Sequence, residues 1–114
     1  MNNYIDYKGL PIVSGWIRAP LLVVDASNLN LDSKEIRGKI VVIRIASPAI
    51  VLWLKDAAGL VVETGGVTSH AAIFAREFNI PCIVGVHSIY DLGLNGLMGD
   101  LQGDQGILRV YTDG

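Results

Sequence analysis

Between Leu60 and Val84 the sequence runs through a short apolar segment, a glycine-rich loop, a helical stretch and a second short apolar segment with almost no slack. Leu60–Val62 and Cys82–Val84 are β-branched or compact and flanked by glycine, asparagine and proline, which makes them strands. The helix between them is expected to begin just after Thr68 or Ser69 and to carry Ala71 through Glu77. It ends at Phe78-Asn79, because asparagine tolerates the left-handed position past a helix and Pro81 cannot continue one. Further strand-like runs lie at Leu21–Val24, Ile40–Ile45, Leu97–Leu101 and Ile107–Tyr111. Ser47-Pro48 has the form of a cap followed by a first-turn proline, opening a helix through Trp53 and Leu54 to about Ala57, with Gly59 as its stop. A shorter helix is expected over Ser88 to Leu92, and Gly103-Asp104-Gln105-Gly106 reads as the turn of a closing hairpin. Strands alternate with helices in the middle and pair locally near the end, so the class is α/β with a mixed sheet.

The length, 114 residues, suits one domain spanning 1–114. Nine Lys and Arg against eleven Asp and Glu leave a net charge of −2 with no run of one sign, which gives no support to nucleic-acid or membrane-surface binding. The most apolar region, Ile40 to Leu54, is broken by Arg44, Ser47 and Pro48 and falls short of the roughly 20 residues a spanning helix needs. A single cysteine, Cys82, and a polar segment after Met1 point to a reducing cytoplasm. Hydrophobic residues at 51% are rich for a free domain and suggest apolar surface, expected near the loop before the helix, that meets a partner.

The loop itself concentrates Gly65, Gly66, Thr68, Ser69 and His70 in six residues. At the first turn of a helix, unpaired backbone N–H groups and the positive end of the dipole work against a second proton on the His70 imidazole, leaving it neutral and nucleophilic. The same helix end favours an anionic phosphoryl group once it has arrived. Gly65 and Gly66 permit positive φ and close approach of a bulky donor. Either Thr68 or Ser69 can cap the helix or donate to a phosphoryl oxygen or the imidazole. Together these residues describe a covalent phosphohistidine site with His70 as nucleophile.

The segment GGVTSHAAIFAREFNIPCIVG resembles the phosphohistidine signature of the mobile, swivelling domain of phosphoenolpyruvate-utilising enzymes, a group that includes phosphoenolpyruvate synthase, pyruvate phosphate dikinase, Enzyme I and rifampin phosphotransferase. Gly65, Gly66, Thr68, Ser69, His70, Ala72, Ala75, Arg76, Ile80, Pro81 and Gly85 carry the likeness, and weaker likeness extends through GLPIVSGWIRAP and GDLQGDQGILRV. The resemblance implies a single swivelling β/β/α phosphohistidine domain, part of a transferase of the kinase type rather than a complete enzyme. It implies no cofactor on this domain; ATP or phosphoenolpyruvate, with magnesium, would belong to partner domains. Those partners would be nucleotide-binding domains and phosphoenolpyruvate-, pyruvate- or other acceptor-binding domains or subunits.

Arg76 lies six residues beyond His70, about 240° around an ideal helix, and is a candidate for a phosphate or docking contact rather than a neighbour of the imidazole. Glu63 and Arg18 fit solvated roles, with Glu63 also able to orient the imidazole. Cys82 suits the core and His87 a surface loop. No Cys, His and carboxylate spacing suggests a metal site. The alternative to a phosphoryl carrier is a non-catalytic interaction or regulatory module of the same fold.

Overall fold

The computed structural model describes residues 3–25, 33–47, 50 and 52–112. The parallel strands come from the middle of the chain: β3 (Trp16–Val23), β4 (Ile40–Ile43), β5 (Gly59–Val62) and β6 (Cys82–Val84) lie side by side. β1 (Tyr4–Lys8), β2 (Leu10–Val13), β7 (Met98–Gln102) and β8 (Ile107–Tyr111) pair antiparallel, giving one eight-stranded sheet in the order β1-β8-β7-β3-β4-β5-β6-β2. Two α-helices, α1 (Ser33–Ile36) and α2 (His70–Phe78), and two 3₁₀ turns at Leu52–Asp56 and Tyr90–Leu92 complete the described elements.

Side-chain alternation along the parallel strands divides the core in two. Val41, Ile43, Leu60, Val62, Cys82 and Val84 point to one side, where Ala71, Phe74 and Ala75 of α2 cover them. Ile40, Val42, Val61 and Ile83 point to the other, where Leu101, Leu108 and Val110 of the antiparallel strands pack on them. Both faces of β4, β5 and β6 are therefore dry, which explains why their sequences are apolar without alternation. The layers are antiparallel sheet, parallel sheet and helix.

Strands β6 and β8 have the bounds expected from the sequence, and α2 ends as expected at Asn79, whose backbone is left-handed at φ 54°. The hairpin turn between β7 and β8 falls on Gly103–Gly106. Gly59, expected to stop a helix, is instead the first residue of β5, and a Cβ there would stand 2.6 Å from Cδ2 of Leu101, so packing between sheets rather than helix termination requires it. Of the helix expected from Ser47-Pro48 to about Ala57, Ile50 is α-helical and Leu52–Asp56 is 3₁₀; Ser47 Oγ does accept from the Ile50 N–H at 3.4 Å, while Pro48 lies outside the described residues. At Ser88 the backbone is left-handed, φ 61°, so the short turn starts later, at Tyr90.

Two strands have no counterpart in the sequence reading. β1 is an edge strand with the sequence YIDYK, mostly exposed, so it has no continuous apolar run. β2 contains Pro11 and sits at the opposite edge, where a missing N–H is tolerated. Pro20 masked the first half of β3 in the same way. It pairs with Met98 on one side, but pairing with β4 begins only at Leu21.

On the outer face of the antiparallel layer, facing residues form a ladder of alternating charge: Asp6 opposite Arg109, Arg109 opposite Asp100, and Asp100 opposite Arg18. Asp100, 1% exposed, accepts from Arg18 Nε at 2.6 Å, Arg18 Nη2 at 3.0 Å and the Tyr111 hydroxyl at 2.6 Å. The Arg18 guanidinium above all holds the Asp100 carboxyl below its ordinary value of 3.8, with burial opposing. A depressed carboxylate stabilises the fold fully above its unfolded-state value and loses that contribution as pH falls through its lower folded value. Asp100→Ala should therefore cost about 2 kcal/mol at pH 7, the range for hydrogen bonds to a charged group. Urea unfolding should show the gap from wild type narrowing below about pH 4; a gap that is constant with pH would mean packing, not charge, is what Asp100 supplies.

Candidate functional site

Strand β5 delivers the chain to the C-terminal edge of the parallel sheet, and the loop from Glu63 to Ser69 carries it into α2. Its start is pinned to the end of β4: the Thr64 N–H donates to the Arg44 carbonyl at 3.1 Å and Thr64 Oγ1 donates to the same oxygen at 2.8 Å. Gly65 follows at φ +109°, and a Cβ there would stand 3.1 Å from Ser69 Oγ. The positive φ favours glycine, and the tight contact with the capping serine adds to the cost of any side chain. Gly66 is different. It lacks positive φ, and a Cβ would meet nothing within 4 Å, so of the two glycines expected to need a left-handed backbone only Gly65 has one.

The Gly66 carbonyl accepts from the Ser69 N–H at 3.1 Å, closing a turn with Val67 and Thr68 at its centre. Ser69 is the N-cap of α2: its backbone is extended, its Oγ accepts from the Ala72 N–H at 3.3 Å and its carbonyl accepts from the Ile73 N–H at 3.0 Å. Thr68 is exposed in the turn and does not cap. Ser69→Ala should cost about 1 kcal/mol by thermal or urea unfolding, and Ser69→Asp, which restores a capping acceptor, should recover most of it; equal losses in both would mean that the cap contributes little.

His70 is the first residue of α2 and is exposed, while Ala71 and Ala72 behind it are fully buried. The helix thus seats on the sheet through its alanines and presents the imidazole outward. Its first N–H groups have no partner within the helix. Val67 and Ile73, each 53% exposed, lie three residues before and after His70 in the chain, so exposed apolar side chains flank it in sequence. Arg76 is also exposed, and its Nη1 donates to the Val67 carbonyl at 2.8 Å, which gives it a partner inside the loop.

Glu63 is engaged away from the imidazole: Oε1 accepts from the Tyr90 N–H at 3.0 Å and Oε2 lies 3.4 Å from Arg44 Nε. Arg44 Nη2 is 2.7 Å from Asp91, and its guanidinium stacks 4.6 Å from the Tyr90 ring centroid. These residues border a cavity of about 350 Å³ lined by Val24, Asp25, Arg44, Ile45, Tyr90 and Asp91, at the same sheet edge as the loop. Arg44 escaped the sequence reading because it looked like an interruption of an apolar run; its position immediately after β4 is the signal that marks it. Cys82 is fully buried, and burial pushes its thiol up to about 12, so it stays protonated. His87 is exposed in a loop. Among the described residues no group of His, Cys, Asp or Glu side chains could hold a metal ion, and no helix is long and apolar enough to cross a membrane.

Comparison with known proteins identifies the family. The family model for the mobile domain of PEP-utilising enzymes matches residues 35–106. The chain is 31% identical over 104 residues to rifampicin phosphotransferase of Bacillus subtilis, covering 90% of this chain and 12% of that protein. It is 30% identical over 105 residues to phosphoenolpyruvate synthase of Aeropyrum pernix, covering 89% and 12%. It therefore spans only about an eighth of the length of these relatives. A solution structure of Enzyme I superposes with a TM-score of 0.59 at 29% identity, over 79% of this chain and 35% of that one. Aconitase X of Thermococcus kodakaraensis superposes at 0.70 with 21% identity, over 95% and 99%, and shares the fold alone. With more than half of a β/β/α chain matched and the helix-terminal histidine inside the matched segment, this protein belongs to the family of the mobile domain of phosphoenolpyruvate-utilising enzymes.

Proposed function

We propose that this chain is a phosphotransfer domain that carries a phosphoryl group on His70 from a donor site to an acceptor site, both on other domains or subunits. The observation that carries this reading is the placement of His70: exposed, first in α2, and capped by Ser69 directly after a glycine turn. A neutral ring nitrogen attacks phosphorus, the N–P bond forms as the donor's P–O bond breaks, and the free N–H groups of the helix end hold the transferred oxygens. A second displacement at the acceptor site reverses the chemistry and frees the imidazole.

The relatives, a rifampicin phosphotransferase and a phosphoenolpyruvate synthase, frame the choice of donor between a nucleotide and phosphoenolpyruvate. ATP or phosphoenolpyruvate, with its magnesium, would bind on those other domains, and Val67 and Ile73 would meet their active-site mouths. Gly65 shapes the loop, Ser69 holds the helix start and Thr68 is available to a phosphoryl oxygen. Incubation with a donor domain of either relative, with ATP and magnesium or with phosphoenolpyruvate, should add one phosphoryl group by intact mass. That group should be lost in acid and retained in base. Acid-stable label on Thr68 or Ser69 would instead support a regulatory module of the same fold.

A further inference from the structure

Arg76 stands on the second turn of α2, about 240° around the helix from His70, yet its guanidinium returns to the loop that precedes the histidine. The oxygen it holds is a particular one. The Ser69 N–H bonded to the Gly66 carbonyl makes residues 66–69 a β-turn, so the bond between Val67 and Thr68 is its central peptide. In such a turn the central peptide can flip while both ends stay hydrogen-bonded, and the flip separates the common turn types. Here a flip would need positive φ at Thr68, which the structure does not show and which a β-branched residue resists. Arg76 adds a charged donor on the Val67 carbonyl, 2.8 Å away, that only the unflipped peptide satisfies.

Because a trans peptide is planar, holding the Val67 carbonyl also fixes the Thr68 N–H on the opposite side. Among the described residues nothing accepts from that N–H. Two residues later the chain reaches His70. We propose that Arg76 is a positioning residue: through the Val67 carbonyl it locks the central peptide of the turn, and so fixes both the Thr68 N–H and the base of the His70 side chain. This inference rests on the reading of His70 as phosphoryl acceptor. It differs from a phosphate-contacting role for Arg76, since the guanidinium acts through the loop backbone.

Potassium phosphoramidate tests it without any partner domain. The lone pair of an imidazole nitrogen forms the N–P bond while the donor's P–N bond breaks and ammonia leaves. The exposed His87 in the same chain is the internal standard. In the wild type His70 should be labelled faster than His87, by peptide mapping in base. Arg76→Ala should lower the His70 to His87 ratio about tenfold, the scale expected of a small misplacement. Arg76→Lys, which keeps one charged donor, should restore part of it. Amide spectra supply the second readout: the Thr68 N–H signal should move in Arg76→Ala and return toward its position in Arg76→Lys.

Unchanged ratio and unchanged Thr68 signal in Arg76→Ala would overturn the proposal. A lowered ratio with an unmoved Thr68 signal would also overturn it, and would put Arg76 on the phosphoryl group itself. A wild type that favours neither histidine, with the Thr68 signal still moving in the variant, would defeat the phosphoryl-acceptor reading while upholding the clamp.

Discussion

Replacing His70 by alanine is expected to abolish phosphoryl uptake from any donor domain while leaving the fold intact. Of the two histidines in the chain only His70 stands at a helix start, and its removal leaves Thr68 and Ser69 without a neighbouring imidazole to activate their hydroxyls. Its removal exposes no core surface, since the side chain already faces solvent and the seat of α2 is made by Ala71, Ala72, Phe74 and Ala75. Surface changes of this kind stay within about 0.5 kcal/mol. Intact mass should therefore show no added phosphoryl group, and the unfolding midpoint should barely move. Label that persists in this variant would place the chemistry on another residue.

Gly106→Ala should have a large effect on stability, because at this glycine a left-handed backbone and a collision with another backbone segment coincide. The backbone there is left-handed, φ +70°, and the new Cβ would collide with the Gly9 carbonyl and stand 3.1 Å from Pro11 Cδ. That contact cannot be relieved by a side-chain rotation. It lies where the β7–β8 turn crosses the corner between β1 and β2, and the Gly9 N–H donates to the Gly106 carbonyl at 2.8 Å across the same crossing. Left-handed backbone alone costs an ordinary residue about 1 to 2 kcal/mol; the displaced backbone and its weakened hydrogen bond should bring the total to about 3 kcal/mol or more. Gly96→Ala is the matched control, because φ is +86° but a Cβ would meet nothing within 4 Å. Urea unfolding of both variants separates conformational strain from collision, and equal losses would show that the crossing can yield.

How much of this was visible in the sequence depends on what each residue was responding to. The parallel strands and α2 were legible because both faces of β4, β5 and β6 are covered, so their composition is apolar throughout, and because Ser69, Asn79 and Pro81 act locally. β1, β2 and the first half of β3 were not, since their residues face solvent or contain proline and their strand character comes from pairing with distant segments. The same distinction runs through the site. Loop glycines, cap and histidine are contiguous and could be read together, whereas Arg44 and Arg76 act on loop carbonyl or carboxylate oxygens that only the fold brings near. Gly59 was misread for a related reason: glycine after a helical segment looks like a stop, and nothing nearby in sequence announces Leu101 on the opposing sheet.

Strand β3 belongs to both layers, pairing in parallel with β4 along its second half and antiparallel with β7 along its first. A torque applied at the histidine edge therefore passes through continuous covalent chain and adjoining hydrogen-bond ladders into the antiparallel layer. Sliding one layer over the other would shear those ladders apart. Under the proposed function the domain turns as one body, so the arc that a phosphoryl group travels is set by whatever holds the domain, and the start of α2 keeps a fixed place on the sheet throughout.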